Sequence, residues 1–147
     1  MTREVDCEAL AEAVAGRFGR IDVLFNNAGI AGVGTVHETS LELWETVMAV
    51  NVRGVFLVSK HVLPRMIAQG SGSIINMSSC IAEIGLADRA SYAASKGAVL
   101  ALSRQMQAAY ARHGPRVNAP PPCTLHPPLR RPSPARQLSP PSAGRPT

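Results

Sequence analysis

Three short apolar runs, set between long helical patterns, limit what this chain can fold into. They are Ile21-Asp22-Val23-Leu24-Phe25, Ser73-Ile74-Ile75-Asn76-Met77-Ser78 and the weaker Arg116-Val117-Asn118-Ala119. Strands alternating with helices predict βαβ units and therefore a parallel sheet. The first run ends without apolar–polar alternation, which predicts a strand buried on both faces.

The intervening helices have their own punctuation. Residues 3–18 bring Val5, Leu10, Ala13, Val14 and Phe18 near one face, and Gly19 supplies a stop. Thr39-Ser40-Leu41-Glu42 fits a capping box, with Thr39 as the cap and Glu42 at the third helical position. That helix continues to about Gln69, with Gly54 and Pro64 as points of bending, and ends at Gly70-Ser71-Gly72. A third, alanine-rich helix covers 90–112 and stops at His113-Gly114-Pro115.

The pattern then breaks. Ten of the residues from Pro120 to Thr147 are proline, with no apolar periodicity. Proline cannot donate to a sheet ladder, so Pro120 to Pro122 closes the third strand. The division expected is a folded α/β domain over 1–119 and a disordered or polyproline-like tail over 120–147.

Charge follows the same division. The formal net charge of +5 rests on Arg130, Arg131, Arg136 and Arg145, because the tail holds no acid. Outside it stand 11 basic and 10 acidic residues. The body lacks the basic face that nucleic acid requires. Cys7, Cys80 and Cys123 are unevenly spaced and contain no C-x-x-C pair. A disulfide framework or metal site is not expected, and a reduced, cytoplasmic setting is. No signal-peptide pattern opens the chain, and no uninterrupted apolar window reaches roughly 18 residues, so no membrane span is expected.

The chemistry-bearing residues cluster at the predicted ends of strands and the start of a helix. Tyr92 and Lys96, four apart, share a helical face. A phenol titrates near 10, too high for easy proton exchange at neutral pH. A neighbouring cation favours the phenolate and brings it into the range of general acid–base work. The pair alone is equally what surface packing would give. Ser79 lies just past the second strand's carboxyl end, where open α/β sheets bind ligands. It could donate to a substrate oxygen or simply close a turn, and Ser78 is chemically equivalent. Asn26-Asn27-Ala28-Gly29 ends the first strand; its small Ala-Gly pair lets a ligand approach the backbone, and an ordinary turn would look the same. Asn51 sits mid-helix, where its side chain competes for backbone groups.

In this order and spacing, the set resembles the classical short-chain dehydrogenase/reductase family over about residues 3–119. The carriers are Asn26 to Gly29 after a strand, Asn51 in an N-V-x-G segment, and Ser79, Tyr92 and Lys96. The thirteen-residue gap to Tyr92 selects Ser79 over Ser78. The resemblance implies a partial Rossmann-like, doubly wound parallel sheet. It implies hydride transfer between NAD or NADP and a small alcohol or carbonyl substrate. Tyr92 would be the general acid/base, Ser79 would hold the substrate oxygen, and Lys96 would tune Tyr92 and bind ribose hydroxyls. Asn51 would hold a relay water, and Asn27, Ala28 and Gly29 would line the adenosine side of the cofactor. The helices near 40–69 and 90–112 resemble those of the family's dimer interface, so a homo-oligomer is expected of intact relatives.

The resemblance has limits that set further expectations. The family's glycine-rich turn, first strands, lid and last strand have no counterpart, which predicts weakened cofactor binding and a bare edge on the strand at 21–25. An acid-free Pro/Arg/Ala/Ser run is what a shifted reading frame of GC-rich DNA yields, so a frameshifted tail and an internal start at Met1 are expected. A different reading is a non-catalytic interaction or oligomerisation protein, with the proline-rich tail as a ligand for aromatic grooves.

Overall fold

The structure, a computed structural model, describes residues 2–122. The expected tail beyond Pro122 lies outside the described residues.

Helix α1 (Glu4–Phe18) carries Glu4 and Asp6 in its first turn and ends at Gly19, whose φ of 75° is left-handed. That is where a glycine caps at least cost. Strand β1 (Val23–Asn26) starts two residues later than the sequence predicts. The reason is local: Gln69 Oε1 accepts from Ile21 N and Gln69 Nε2 donates to Ile21 O, so Ile21 is held by a side chain rather than by the sheet.

The second helical stretch is three pieces: α2 (Leu41–Met48), a π-helical turn at Ala49–Arg53, and α3 (Gly54–Gln69). Ser40, not Thr39, is its cap: Ser40 Oγ accepts from Leu43 N at 3.1 Å. Thr39 Oγ1 instead donates to Thr35 O at 2.7 Å in the preceding turn. Glu42 is therefore at the second helical position, which dissolves the expected capping box. At the helix's other end Gly70, with a φ of 66°, donates to Ile67 O, while Ser71 N reaches back to Met66 O.

Strand β2 (Gly72–Asn76) leads through a single 3-10 turn at Cys80–Ala82 to α4 (Ala90–Tyr110). A second 3-10 turn, Ala111–His113, replaces the expected last helical residues and feeds β3 (Pro115–Asn118). Pro115 occupies the strand's first position, where a missing N–H is tolerated.

The sheet is parallel throughout, in the order β1-β2-β3. The parallel α/β sheet read from the strand–helix alternation holds, and with it the Rossmann-like arrangement that the resemblance implies. Leu24, Ile74 and Val117 are register partners on one face. They join one apolar cluster with Cys7 and Ala11 of α1, Leu57 and Met66 of α3 and Met106 of α4. The other face carries Val23, Phe25, Ile75, Arg116 and Asn118. Among the described residues no helix covers it, and Val23 and Phe25 are 60% and 55% exposed. The expectation that this first strand is buried on both faces therefore fails: β1 is an edge strand with one open face.

The continuous run Leu41–Gln69 is long and apolar enough, by length and composition, to cross a membrane. Half of its apolar window is buried inside the molecule, as in the core helix of a globular domain.

Candidate active site

All three strands run parallel, so their carboxyl ends open on one side, and the candidate residues leave from there. Asn27 to Gly29 follow β1, Met77 to Ser79 follow β2, and Tyr92 and Lys96 occupy the first turns of α4. The start of α4 is pinned to the loop after β1: Gly34 N donates to Asp88 O at 3.0 Å and Ala90 N to Gly34 O at 3.1 Å. Asp88 is the one non-glycine residue with positive φ, at 56°, among those described.

Tyr92 and Lys96 point into a cavity of about 320 Å³ shared with Asn27, Gly29, Ile30, Met77 and Ser78. The Lys96 ammonium lies 5.6 Å from the centre of the Tyr92 ring. It donates to Met77 O at 2.6 Å, while Ser78 Oγ donates to Lys96 O at 3.1 Å. These two bonds lace the exit of β2 to the helix carrying the pair. Lys96 is only 6% exposed, and burial pushes its ammonium below its usual value of 10.5.

The two serines part company. Ser78 is buried and its proton is committed to Lys96 O. Ser79 is partly exposed and extended, with Oγ accepting weakly from Ile81 N at 3.4 Å. Among the described residues its own proton meets no acceptor, which leaves it as the serine able to donate outward. Ser79 and Ala28 are not on the cavity wall formed by Tyr92 and Lys96.

Asn51 lies in the π-helical turn, 1% exposed. Its Oδ1 accepts from Ile30 N at 2.8 Å, and its Nδ2 donates to Ile30 O and to Ser95 Oγ, both at 2.9 Å. Both amide protons of Asn51 are thus spent, and one lone pair of Oδ1 remains. Gly29 sits on the same group. A Cβ there would come 3.2 Å from Asn51 Oδ1 and 3.6 Å from Lys96 Nζ, so the glycine preserves room beside both.

Ser95 and the carbonyl of Met77 did not figure in the sequence reading. Met77 O is invisible to it, because a carbonyl carries no side-chain signal. Ser95 left one clue: a serine inside a helix is unfavourable unless its hydroxyl bonds back to the helix. Among the described residues no group of three His, Cys, Asp or Glu side chains could hold a metal ion.

The fold and cavity define an α/β protein with a tyrosine–lysine pair facing a cavity at the carboxyl edge of its parallel sheet. Comparison with known proteins agrees. A family model described as short chain dehydrogenase matches residues 1–137. The inactive 2-(S)-hydroxypropyl-CoM dehydrogenase 2 of Xanthobacter autotrophicus is 47% identical over 116 residues, covering 77% of this chain and 50% of that protein. Among solved structures, the gluconate 5-dehydrogenase of Burkholderia cenocepacia, in complex with NADP and tartrate, superposes with a TM-score of 0.80 at 38% identity. It matches 83% of this chain and 48% of that one. An NAD+-bound xylitol dehydrogenase gives a TM-score of 0.80 at 36% identity, with 83% and 47% coverage. The chain belongs to the short-chain dehydrogenase family, and it spans about half the length of the relatives it matches.

Proposed function

We propose that this chain carries the acid–base half of a dehydrogenase site, acting with NAD or NADP on a small alcohol or its carbonyl partner. The observation that supports this most is the shared cavity. Tyr92 and Lys96 face it from one helix turn, and Asn27 and Gly29 face it from the end of β1.

The residues fit the ribose–nicotinamide part of such a cofactor. Lys96 spends one proton on Met77 O and keeps two for hydroxyl acceptors. Gly29 leaves open the space that a Cβ would fill next to Lys96. Bound, the cofactor supplies or accepts the hydride. Tyr92 O–H gives a proton to the forming alkoxide, or takes one from the alcohol in the reverse direction. The Lys96 charge favours negative charge on the phenol oxygen during that transfer. Ser79, which follows the cavity-lining Ser78 and is itself off the wall, is the serine with a proton left to orient the substrate oxygen. The remaining lone pair of Asn51 Oδ1 is the group able to hold a relay water beside Lys96.

Self-association fits the same reading. Between α3 and α4 runs an apolar groove lined by Phe56, Leu63, Ile67, Leu102 and Tyr110, on the helices that the family resemblance assigns to an interface.

The test is nicotinamide absorbance with NAD and NADP against a panel of secondary alcohols and polyols. Tyr92→Phe should lower turnover by roughly 100- to 10,000-fold, the usual span for a general acid–base group. Turnover that survives Tyr92→Phe unchanged would sink the assignment.

A further inference from the structure

Helix α4 carries the same arrangement twice. Ser103 Oγ donates to Val99 O at 2.7 Å and accepts from Asn76 Nδ2 at 2.8 Å. Ser95 Oγ donates to Tyr92 O at 2.8 Å and accepts from Asn51 Nδ2 at 2.9 Å. Both serines and both asparagines are buried. In each case the hydroxyl's only proton goes back into the helix, leaving an oxygen that can only accept. It therefore decides which end of the asparagine amide faces it.

The two clasps differ in what lies behind the asparagine. Asn76 continues into the sheet, through Asn26. Asn51 continues into the loop after β1, where it pairs with both the N–H and the C=O of Ile30. Gly29, the residue before, borders the open space beside Lys96: a Cβ there would come 3.6 Å from Lys96 Nζ.

We propose that Ser95 is a positioning residue, whose hydroxyl fixes the Asn51 amide and so holds the Gly29–Ile30 backbone at a set distance from Tyr92 and Lys96. The consequence for catalysis rests on the functional reading above, whereas the clasp itself does not. Without the hydroxyl, one proton of a buried amide loses its acceptor. The amide then turns, and the Ile30 N–H loses the partner that protects it.

Ser95→Ala and Ser103→Ala in the full chain make the comparison. Each removes one buried clasp, so urea denaturation should report similar losses of stability. Hydrogen exchange at the Ile30 amide should be about tenfold faster in Ser95→Ala than its global stability accounts for, and unaffected in Ser103→Ala. Ser95→Thr, which keeps the hydroxyl, should restore protection. If Ser95→Ala does not fold, the near-isosteric Ser95→Cys is read the same way. Equal Ile30 exchange in the Ser95 and Ser103 variants overturns the proposal. Hydride transfer is measured separately on the same proteins. An inactive parent chain fells the functional reading and leaves the Ile30 result standing. In an active one, Ser95→Ala should lower kcat with little change in KM, and an unaltered kcat would refute the positioning role.

Discussion

Asn26 Nδ2 donates to Asn76 Oδ1 across 2.8 Å, and the two are register partners on neighbouring parallel strands. The bond is one link of a polar chain that runs from half-buried Asn26 to buried Ser59, Asn76 and Ser103. Asn26 also reaches Ser59 of α3 at 3.1 Å, and Asn76 reaches Ser103 of α4. The core thus ties strand to strand and sheet to helix by polar as well as apolar contact. Asn76→Ala should cost about 1–3 kcal/mol, since it removes one fully buried and one partly buried hydrogen bond. A lowered urea midpoint at unchanged slope is the measurement, and an unchanged midpoint contradicts the network's importance.

Gly32 is buried, and a Cβ built there would overlap Ser91 Oγ and sit 3.1 Å from Val47 Cγ2. Ser91 is itself 1% exposed and cannot move aside freely. Gly32→Ala should therefore destabilise by about 1–3 kcal/mol, as overpacking does. Adding Ser91→Ala takes away the overlapping oxygen and should return most of that loss. Strict additivity of the two changes in a double-mutant cycle would show that the overlap is not the cause.

Lys96 gives a pH dependence with a definite sign. Its ammonium is held below 10.5 by burial. Between the lowered folded value and 10.5, the unfolded chain keeps a proton that the folded chain has released. Stability must therefore rise with pH across that window. Below it both states are protonated and the burial penalty is present in full. Lys96→Met should lose the alkaline rise, visible as a difference between the two curves of urea midpoint against pH. Parallel curves would mean that Lys96 is not desolvated.

Val23 and Phe25 lie on the open face of an edge strand. Exposed apolar edges pair with other chains. Val23→Thr with Phe25→Thr keeps strand propensity and removes the apolar face. Light scattering at rising concentration should show less association than in the parent chain. No difference would mean that association, where present, uses another surface.

Much of this was legible in the residues, and the exceptions have physical causes. Strand–helix alternation gave the parallel sheet, and the i, i+4 pair gave Tyr92 and Lys96 on one face. Thr39 and Ser40 are both competent caps, and only the competing acceptor Thr35 O decides between them. The exposure of Val23 could not be read from composition, because an apolar strand looks the same whether its second face is covered or bare. Ser95 and Ser103 look like surface polars in an alanine-rich helix. Their burial depends on asparagines 44 and 27 residues away in sequence. Asn51 stood out as a poor helix former, but the change of helix type that accommodates it shifts the apolar pattern by a single position.

That single position is a slip in phase. Gly54 N donates to Ala49 O five residues back, where an α-helix would use the fourth. One residue of a helix turns through roughly 100°, so α3 is rotated by about that much from where α2 would have carried it. The result is one rod with two allegiances: α2 rests on α4, and α3 rests on α1 and the sheet. Removing one residue within 49–53 would leave an ordinary helix with every other side chain still present, yet its two halves could no longer face their separate neighbours together.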